Sequence, residues 1–176
     1  MDVRIVEATQ DDNELLWALA VQTYTEAFGH SMSAADLAAH LKANLSPERV
    51  HEMLHEDAFL LARAEGETVG FVQFGDAHID AGDLSKLFEV RPGNKEIRRL
   101  YVLAAFQNCG LGTSLMNAAL NDPRIAGRAV FLDVWEDNAG ARRFYERYSF
   151  QRAGARVFRA ASGDMTGVDL VMVRRP

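Results

Sequence analysis

The spacing of apolar residues changes period several times along the chain, and each change marks an element. Residues Val3 to Glu7 alternate like a short strand. From about Asp11 the apolar positions form a helical stripe through Leu16, Leu19, Ala20, Thr23 and Ala27, and Gly29 is placed to end it. Ser33-Ala34-Ala35-Asp36 opens a second helix, with Leu37, Leu41 and Leu45 four apart. Ser46-Pro47-Glu48 starts a third, with Ser as cap and Pro in the first turn. The period then drops to two. AFLLARA (58–64) and TVGFVQF (68–74) read as strands joined at Glu65-Gly66-Glu67, a hairpin signal. Residues 75–94 are acidic and glycine-bearing and read as a loop. A strand over 96–102, a helix over 110–120, a strand over 129–134 and a helix over 139–148 follow. The near-continuous apolar run at 129–134 predicts burial on both faces. Residues 156–158 and 168–173 close the chain as a hairpin around Ser162-Gly163-Asp164. No internal repeat or linker interrupts this order, which describes a mixed α/β domain with a central sheet.

Composition narrows the class. The 176 residues, 48% of them apolar and 25% charged, suit one globular domain spanning 1–176. No apolar run approaches the ~18 residues that span a bilayer, and MDVRIVEATQDD lacks the apolar core of a signal peptide. The expectation is a soluble, cytoplasmic protein with no membrane partner. A single cysteine, Cys109, excludes an intrachain disulfide and fits a reducing compartment. The net charge of −6 disfavours nucleic acid as a partner; its ordinary role is solubility.

Residues 51–55 read HEMLH, the short signature of zinc metalloproteases. A catalytic zinc needs three protein ligands and this string supplies two. Glu56-Asp57-Ala58-Phe59 follows at once, so no extended histidine motif is present. Val50, Met53 and Leu54 form the apolar stripe of this helix, which places His51 and His55 on its flank. The expectation is a solvated helix flank and no metal.

The stretch KEIRRLYVLAAFQNCGLGT (95–113) reads strand, loop, Gly-x-Gly, helix. A helix N-terminus offers unpaired N–H groups and partial positive charge, which suit a phosphate. Gly110 and Gly112 let the backbone bend and approach such a group closely. Gly112 is followed by Thr113 without a lysine, so this is no P-loop. Leu115 occupies the third small position of a dinucleotide fingerprint, so that motif fails too. Cys109 has no histidine near it in sequence and reads as a small residue of the turn.

A second string raises the specificity. AVFLDVWEDNAGARRFYERYSF (129–150) leads from a strand into a helix bearing Asn138, Ala141, Phe144 and Tyr145. Together with Gln107-x-x-Gly110-x-Gly112 it resembles the GNAT superfamily of acyl-CoA-dependent N-acyltransferases. The resemblance is strong over about 95–151. It implies an α+β fold with a mixed, mostly antiparallel central sheet and helices on both faces. It implies acetyl-CoA as cofactor: Leu100, Tyr101 and Val102 as the strand edge that pairs with pantetheine, and Gln107, Asn108, Cys109, Gly110, Leu111, Gly112 and Thr113 as the wrap around the pyrophosphate. Asn138 is implied to contact the cofactor and Tyr145 to stand near its sulfur.

The chemistry of such a transfer can be written from first principles. An alkylammonium, with a pKa of about 10, must lose a proton before it attacks a thioester, and a carboxylate acting through water is a common base. Glu96 matches a strand glutamate that serves this role in some of the family; the other reading is a surface residue at a strand start. A backbone N–H, that of Val102, is the candidate oxyanion donor. Full proton transfer from an unperturbed tyrosine to a thiolate is uphill by roughly 2 kcal/mol, so Tyr145 suits a hydrogen bond that strengthens as the C–S bond breaks. Two departures from the family pattern stand out. Ser149 occupies a position where the family commonly has glycine, and Pro123 limits the first motif's helix to about Asn121.

The acceptor is less legible. The first two helices and the 75–94 loop are expected to form its wall, with Tyr24 and Phe28 as candidate apolar contacts. Strings including TYTEAFG (23–29) are similar to bacterial spermidine/spermine acetyltransferases of the PaiA type, and Asp76, Asp80, Asp83 and Glu89 are candidate charges for a polyamine. The leading reading is transfer of acetyl to a small-molecule primary amine. A protein or peptide amine acceptor, a non-catalytic acyl-CoA-binding regulator and a zinc hydrolase stand beside it, and a homodimer is the candidate assembly.

Overall fold

The computed structural model describes residues 2–85, 87–159 and 166–176, without the side chains of Phe158, Arg159 and Thr166. Seven strands, β1 (Val3–Glu7), β2 (Ala58–Ala64), β3 (Glu67–Asp76), β4 (Lys95–Val102), β5 (Val130–Trp135), β6 (Gln151–Arg159) and β7 (Thr166–Arg174), run in the sheet order β1-β2-β3-β4-β5-β7-β6. β1–β2, β2–β3, β5–β7 and β6–β7 are antiparallel and β4–β5 is parallel, so the sheet is mixed and mostly antiparallel as expected. The helices are α1 (Asn13–Phe28), α2 (Ala34–Asn44), α3 (Pro47–Glu56), α4 (Leu111–Asn121) and α5 (Ala139–Arg147). Among the described residues no helix is long and apolar enough to cross a membrane. The chain divides into two compact units, one up to Phe74 with Arg99–Asn121, the other Gly75–Arg98 with Asp122–Pro176.

In the first unit, local chemistry sets the helix starts. Ser33 Oγ accepts from Asp36 N–H at 3.1 Å and Ser46 Oγ accepts from Arg49 N–H at 3.2 Å, satisfying donors that a helix start leaves open. The β2–β3 turn uses Glu65 (φ 55°) and Gly66 (φ 88°), the pair of left-handed residues a two-residue hairpin requires. α1 begins at Asn13, after a 3-10 turn over Gln10–Asp12, and ends at Phe28; Gly29 is right-handed (φ −57°) and passes into another 3-10 turn. The predicted stripe is real: Leu16, Leu19, Ala20 and Thr23 are buried. With Leu45, Val50 and Met53 the apolar members of this stripe pack on Phe59 and Leu61 of β2 and Phe71 of β3. Alternation turns Leu60 and Ala62 to the opposite face, and α4 packs on β1 and β2 with Leu115, Met116 and Ala119 buried. Helices therefore cover both faces here.

In the second unit, Val130, Phe131, Leu132 and Val134 are buried, as the apolar run predicts. β6 and β7 are longer than expected, and in β6 a bulge between Arg152 and Gly154 breaks the alternation. The predicted turn at Ser162-Gly163-Asp164 lies outside the described residues. Beyond the end of β3 the 75–94 segment is largely a loop, as expected, but one that packs on the sheet. Ile79 is buried and Leu84, Phe88 and Val90 pack against Phe131, Val171 and Val173, because these apolar residues punctuate the acidic run. Leu84 bridges to Gly154, where a Cβ would collide with the Asp83 carbonyl.

Candidate active site

β4 is built for close approach. Leu103 N–H donates to Val69 O at 2.9 Å, so alternation directs the Val102 N–H away from β3. Gly70 of β3 lies so near that a Cβ there would meet Tyr101 O at 2.7 Å and Val102 Cα at 3.2 Å. The parallel ladder from β4 to β5 covers Lys95, Glu96 and Ile97.

The turn after β4 bends at one of its two glycines, Gly110, while Gly112 lies inside α4. Asn108 (φ 61°) and Gly110 (φ 89°) are left-handed and flank Cys109, which is not, an alternation that gathers successive amides around a concavity. Asn tolerates this region where most residues do not. Ser114 N–H is bonded to Gly110 O at 3.0 Å, so the amides of Leu111 and Gly112 precede that first bond of α4 and point out of its positive end. Leu111 anchors the turn, being 2% exposed, whereas Gln107, Asn108, Cys109, Gly110 and Thr113 are exposed. Gln107 has a role the sequence did not reveal: its amide Nε2 donates back to Val102 O at 3.1 Å and ties the turn to the end of β4. Cys109 Sγ donates to Phe106 O at 2.7 Å, a structural contact that suits its reading as a residue of the turn.

Glu96 is not the surface residue that one reading allowed. It is 7% exposed, and its Oε2 accepts from His78 N–H at 2.9 Å and from Arg98 Nη1 at 2.8 Å. Arg98 is held in turn by Asp76 O at 2.7 Å. Both contacts converge on Oε2, which leaves Oε1 as an acceptor directed elsewhere.

In the second unit, Asn138 caps α5: its Oδ1 accepts from Ala141 N–H at 3.0 Å. Tyr145 is buried, with its ring edge-on to Phe144 (5.5 Å) and Phe150 (6.0 Å). Ser149 at φ 64° keeps the left-handed conformation that glycine would take more easily, and its N–H closes the helix end onto Glu146 O.

The first unit gathers an aromatic group. Tyr24 stacks on His40 (centroids 4.3 Å, planes 9° apart) and tilts against Phe28 at 4.8 Å, and Phe28 meets Tyr101 edge-on at 6.4 Å. Burial and the nearby Arg99 charge hold His40 below its ordinary pKa. Behind it runs a polar chain that pattern reading missed. Gln73, fully buried, donates from Nε2 to Asp57 Oδ2 at 2.6 Å and accepts from Arg99 Nη1 at 2.5 Å. The one available signal was a glutamine inside the apolar run TVGFVQF.

Three of the four acidic candidates of 75–94, Asp76, Asp80 and Glu89, are engaged locally. Asp76 accepts from Lys95 Nζ at 2.5 Å, which holds its carboxyl below the usual range. Asp80 Oδ1 accepts from Gly82 N–H at 2.8 Å, and Glu89 pairs with Arg91. The HEMLH helix presents His51, Glu52 and His55 to solvent and buries Val50 and Met53, and Arg49 takes the Glu52 carboxylate at 2.6 Å.

Comparison with known proteins bears on these features together. The sequence model of the acetyltransferase (GNAT) family matches residues 14–150. An uncharacterized N-acetyltransferase of Mycobacterium bovis is 31% identical over 166 residues, 93% of this chain and 97% of that one. Another, from Lactobacillus delbrueckii subsp. lactis, is 28% identical over 159 residues, 89% of this chain and 88% of that one. Among solved structures, the PaiA N-acetyltransferase from Thermoplasma acidophilum, in complex with coenzyme A, has TM-score 0.74 at 17% identity, with both chains covered completely. An acetyltransferase from Salmonella typhimurium with its cofactor acetyl-CoA has TM-score 0.67 at 17% identity, covering 99% of this chain and 94% of that one.

Proposed function

The chain belongs to the GNAT acetyltransferase family, and from that premise we propose that it transfers acetyl from acetyl-CoA to the primary amine of a small molecule. The turn at Asn108 and Gly110 carries this reading, because two left-handed residues ahead of α4 orient amides for the diphosphate of coenzyme A. Pantetheine pairs along Leu100, Tyr101 and Val102 as an added strand. The acceptor nitrogen loses its proton to a water held by Glu96 Oε1 and attacks the thioester carbonyl carbon. The oxyanion takes the Val102 N–H. When the C–S bond breaks, the thiolate accepts a hydrogen bond from the Tyr145 phenol.

The acceptor lies toward Tyr24 and Phe28, whose aromatic neighbours favour an amine on an apolar body. A polyamine has less support, since Asp76, Asp80 and Glu89 already have local partners. An amine panel that includes spermidine, read by free-thiol release, decides between them. Acetyl-CoA alone should raise the melting temperature by linkage. Gly110→Ala should weaken that shift: nothing within 4 Å obstructs a Cβ there, but φ 89° opposes one. No shift at saturating acetyl-CoA would remove the proposal, and a Tyr145→Phe enzyme with unchanged turnover would remove the role of the phenol.

A further inference from the structure

We propose that His51 and His55 form a two-imidazole site for a zinc-class divalent cation on the exposed face of α3, apart from the acetyl-transfer residues. The two histidines are one helical turn apart, and their Nε2 atoms stand 3.3 Å from each other with ring planes 83° apart. Zinc–nitrogen bonds of 2.0–2.1 Å give a tetrahedral nitrogen–nitrogen edge of roughly 3.3–3.4 Å, whereas a square or octahedral edge is roughly 2.8–3.0 Å. The observed separation therefore matches two corners of a tetrahedron.

Among the described residues each ring has one polar partner, the other ring. At that separation one ring can donate its Nε2–H to the lone pair of the other. A dication would bind both Nε2 lone pairs, with the donating ring carrying its proton on Nδ1 instead. The helix backbone under the pair is fixed, because Val50 and Met53 are buried in the core and Ser46 caps the first turn. Glu48, Glu52 and Glu56 on the same helix outnumber Arg49, so the field at the site favours a cation.

The site differs from a catalytic zinc centre. Among the described residues no third His, Cys, Asp or Glu joins the two imidazoles in a metal-holding group, so solvent completes the tetrahedron. Glu52 is engaged by Arg49 at 2.6 Å and is not poised as a base. The cation would pin one turn of α3 on its outer face while Met53 and Val50 pin it on the inner.

The test uses the full chain without a histidine tag and with Cys109→Ser, since an exposed thiol also binds zinc. Isothermal titration with zinc should show saturable binding of one ion per chain. His51→Gln and His55→Gln should each abolish it at the same concentrations, whereas His78→Gln should leave it intact. All variants should melt at the parent temperature in chelator, because both rings are exposed. Binding that survives the double substitution, or no binding at millimolar zinc, overturns the site. Neither result depends on acetyl transfer.

Discussion

Replacing Glu96 by glutamine separates a base from a brace. Among the described residues the carboxylate of Glu96 is held through Oε2, by the His78 amide at 2.9 Å and the Arg98 guanidinium at 2.8 Å. Both partners can still meet an amide oxygen at that position, so Glu96→Gln keeps the shape and loses the charge. A hydrogen bond to a charged group contributes about 1.5–3 kcal/mol and a neutral one about 0.5–1.5 kcal/mol. The substitution should therefore cost about 1–2 kcal/mol, a fall of about 2–8 °C in melting temperature for a chain of this length. That loss is common to both roles. Catalysis distinguishes them, because the amide placed at Oε1 cannot take a proton. General-base catalysis contributes about 10²–10⁴-fold, so kcat should drop by that factor with acetyl-CoA affinity retained, and the acid limb of the kcat/KM profile should vanish. Initial rates by thiol release across pH, with the best amine of the panel, give both. If kcat stays within about threefold of the parent and the acid limb persists while the melting temperature falls, Glu96 is a brace for Arg98 and the β3–β4 connection only.

Three further outcomes follow from geometry. Gly70→Ala forces a Cβ to 2.7 Å from Tyr101 O; overpacking of this kind costs about 1–3 kcal/mol, and denaturant midpoints should fall together with acetyl-CoA affinity if the displaced strand pairs with pantetheine as proposed. Ser149→Gly should raise stability by about 0.5–1 kcal/mol, since relieving left-handed strain of about 1–2 kcal/mol exceeds the extra chain entropy of glycine; a lower melting temperature would refute the strain account. His40 is held below its ordinary pKa, so the unfolded chain binds its proton first as pH falls below about 6.5. Its contribution to stability is complete above that value and is lost on acidification, and His40→Gln should flatten the pH dependence of the melting temperature between neutrality and the folded pKa.

Elements set by local chemistry were legible in the sequence. Ser33, Ser46 and the Glu65-Gly66 turn act through neighbours within three residues, and their helices and hairpin begin where the pattern places them. The turn before α4 was legible in part: Gly110 announces left-handed backbone and takes it, whereas Gly112 lies inside α4 and the second left-handed residue is Asn108, which the pattern did not single out. What escaped depends on partners far along the chain. Glu96 is buried because His78 and Arg98 converge on one oxygen, and no spacing rule links 78 to 96. The loop over 75–94 packs through Ile79 and Phe88, whose partners Phe131 and Val171 lie some way ahead in sequence. The β6 bulge hid the first part of that strand, ahead of 156, because alternation skips a residue there.

The buried Gln73 explains how β4 tolerates Arg99 on the side that also carries Tyr101. A guanidinium on a half-buried strand face needs acceptors, and an apolar residue at 73 would remove an oxygen acceptor of Arg99 Nη1, for which the Met53 sulfur at 3.7 Å is the weaker partner. A carboxylate at 73 would satisfy Arg99 yet stand beside Asp57, which Gln73 contacts through its amide nitrogen at 2.6 Å. An amide is the side chain that donates to one and accepts from the other, so the Asp57–Gln73–Arg99 order is set by hydrogen-bond polarity. The hydrogen bond to Gln73 orients Arg99, and burial together with the Arg99 charge lowers the pKa of His40, which stacks on Tyr24. The aromatic group proposed to face the acceptor is thus backed by a directional polar relay, and the lowered pKa of His40 disfavours a cation there, which would repel an incoming ammonium.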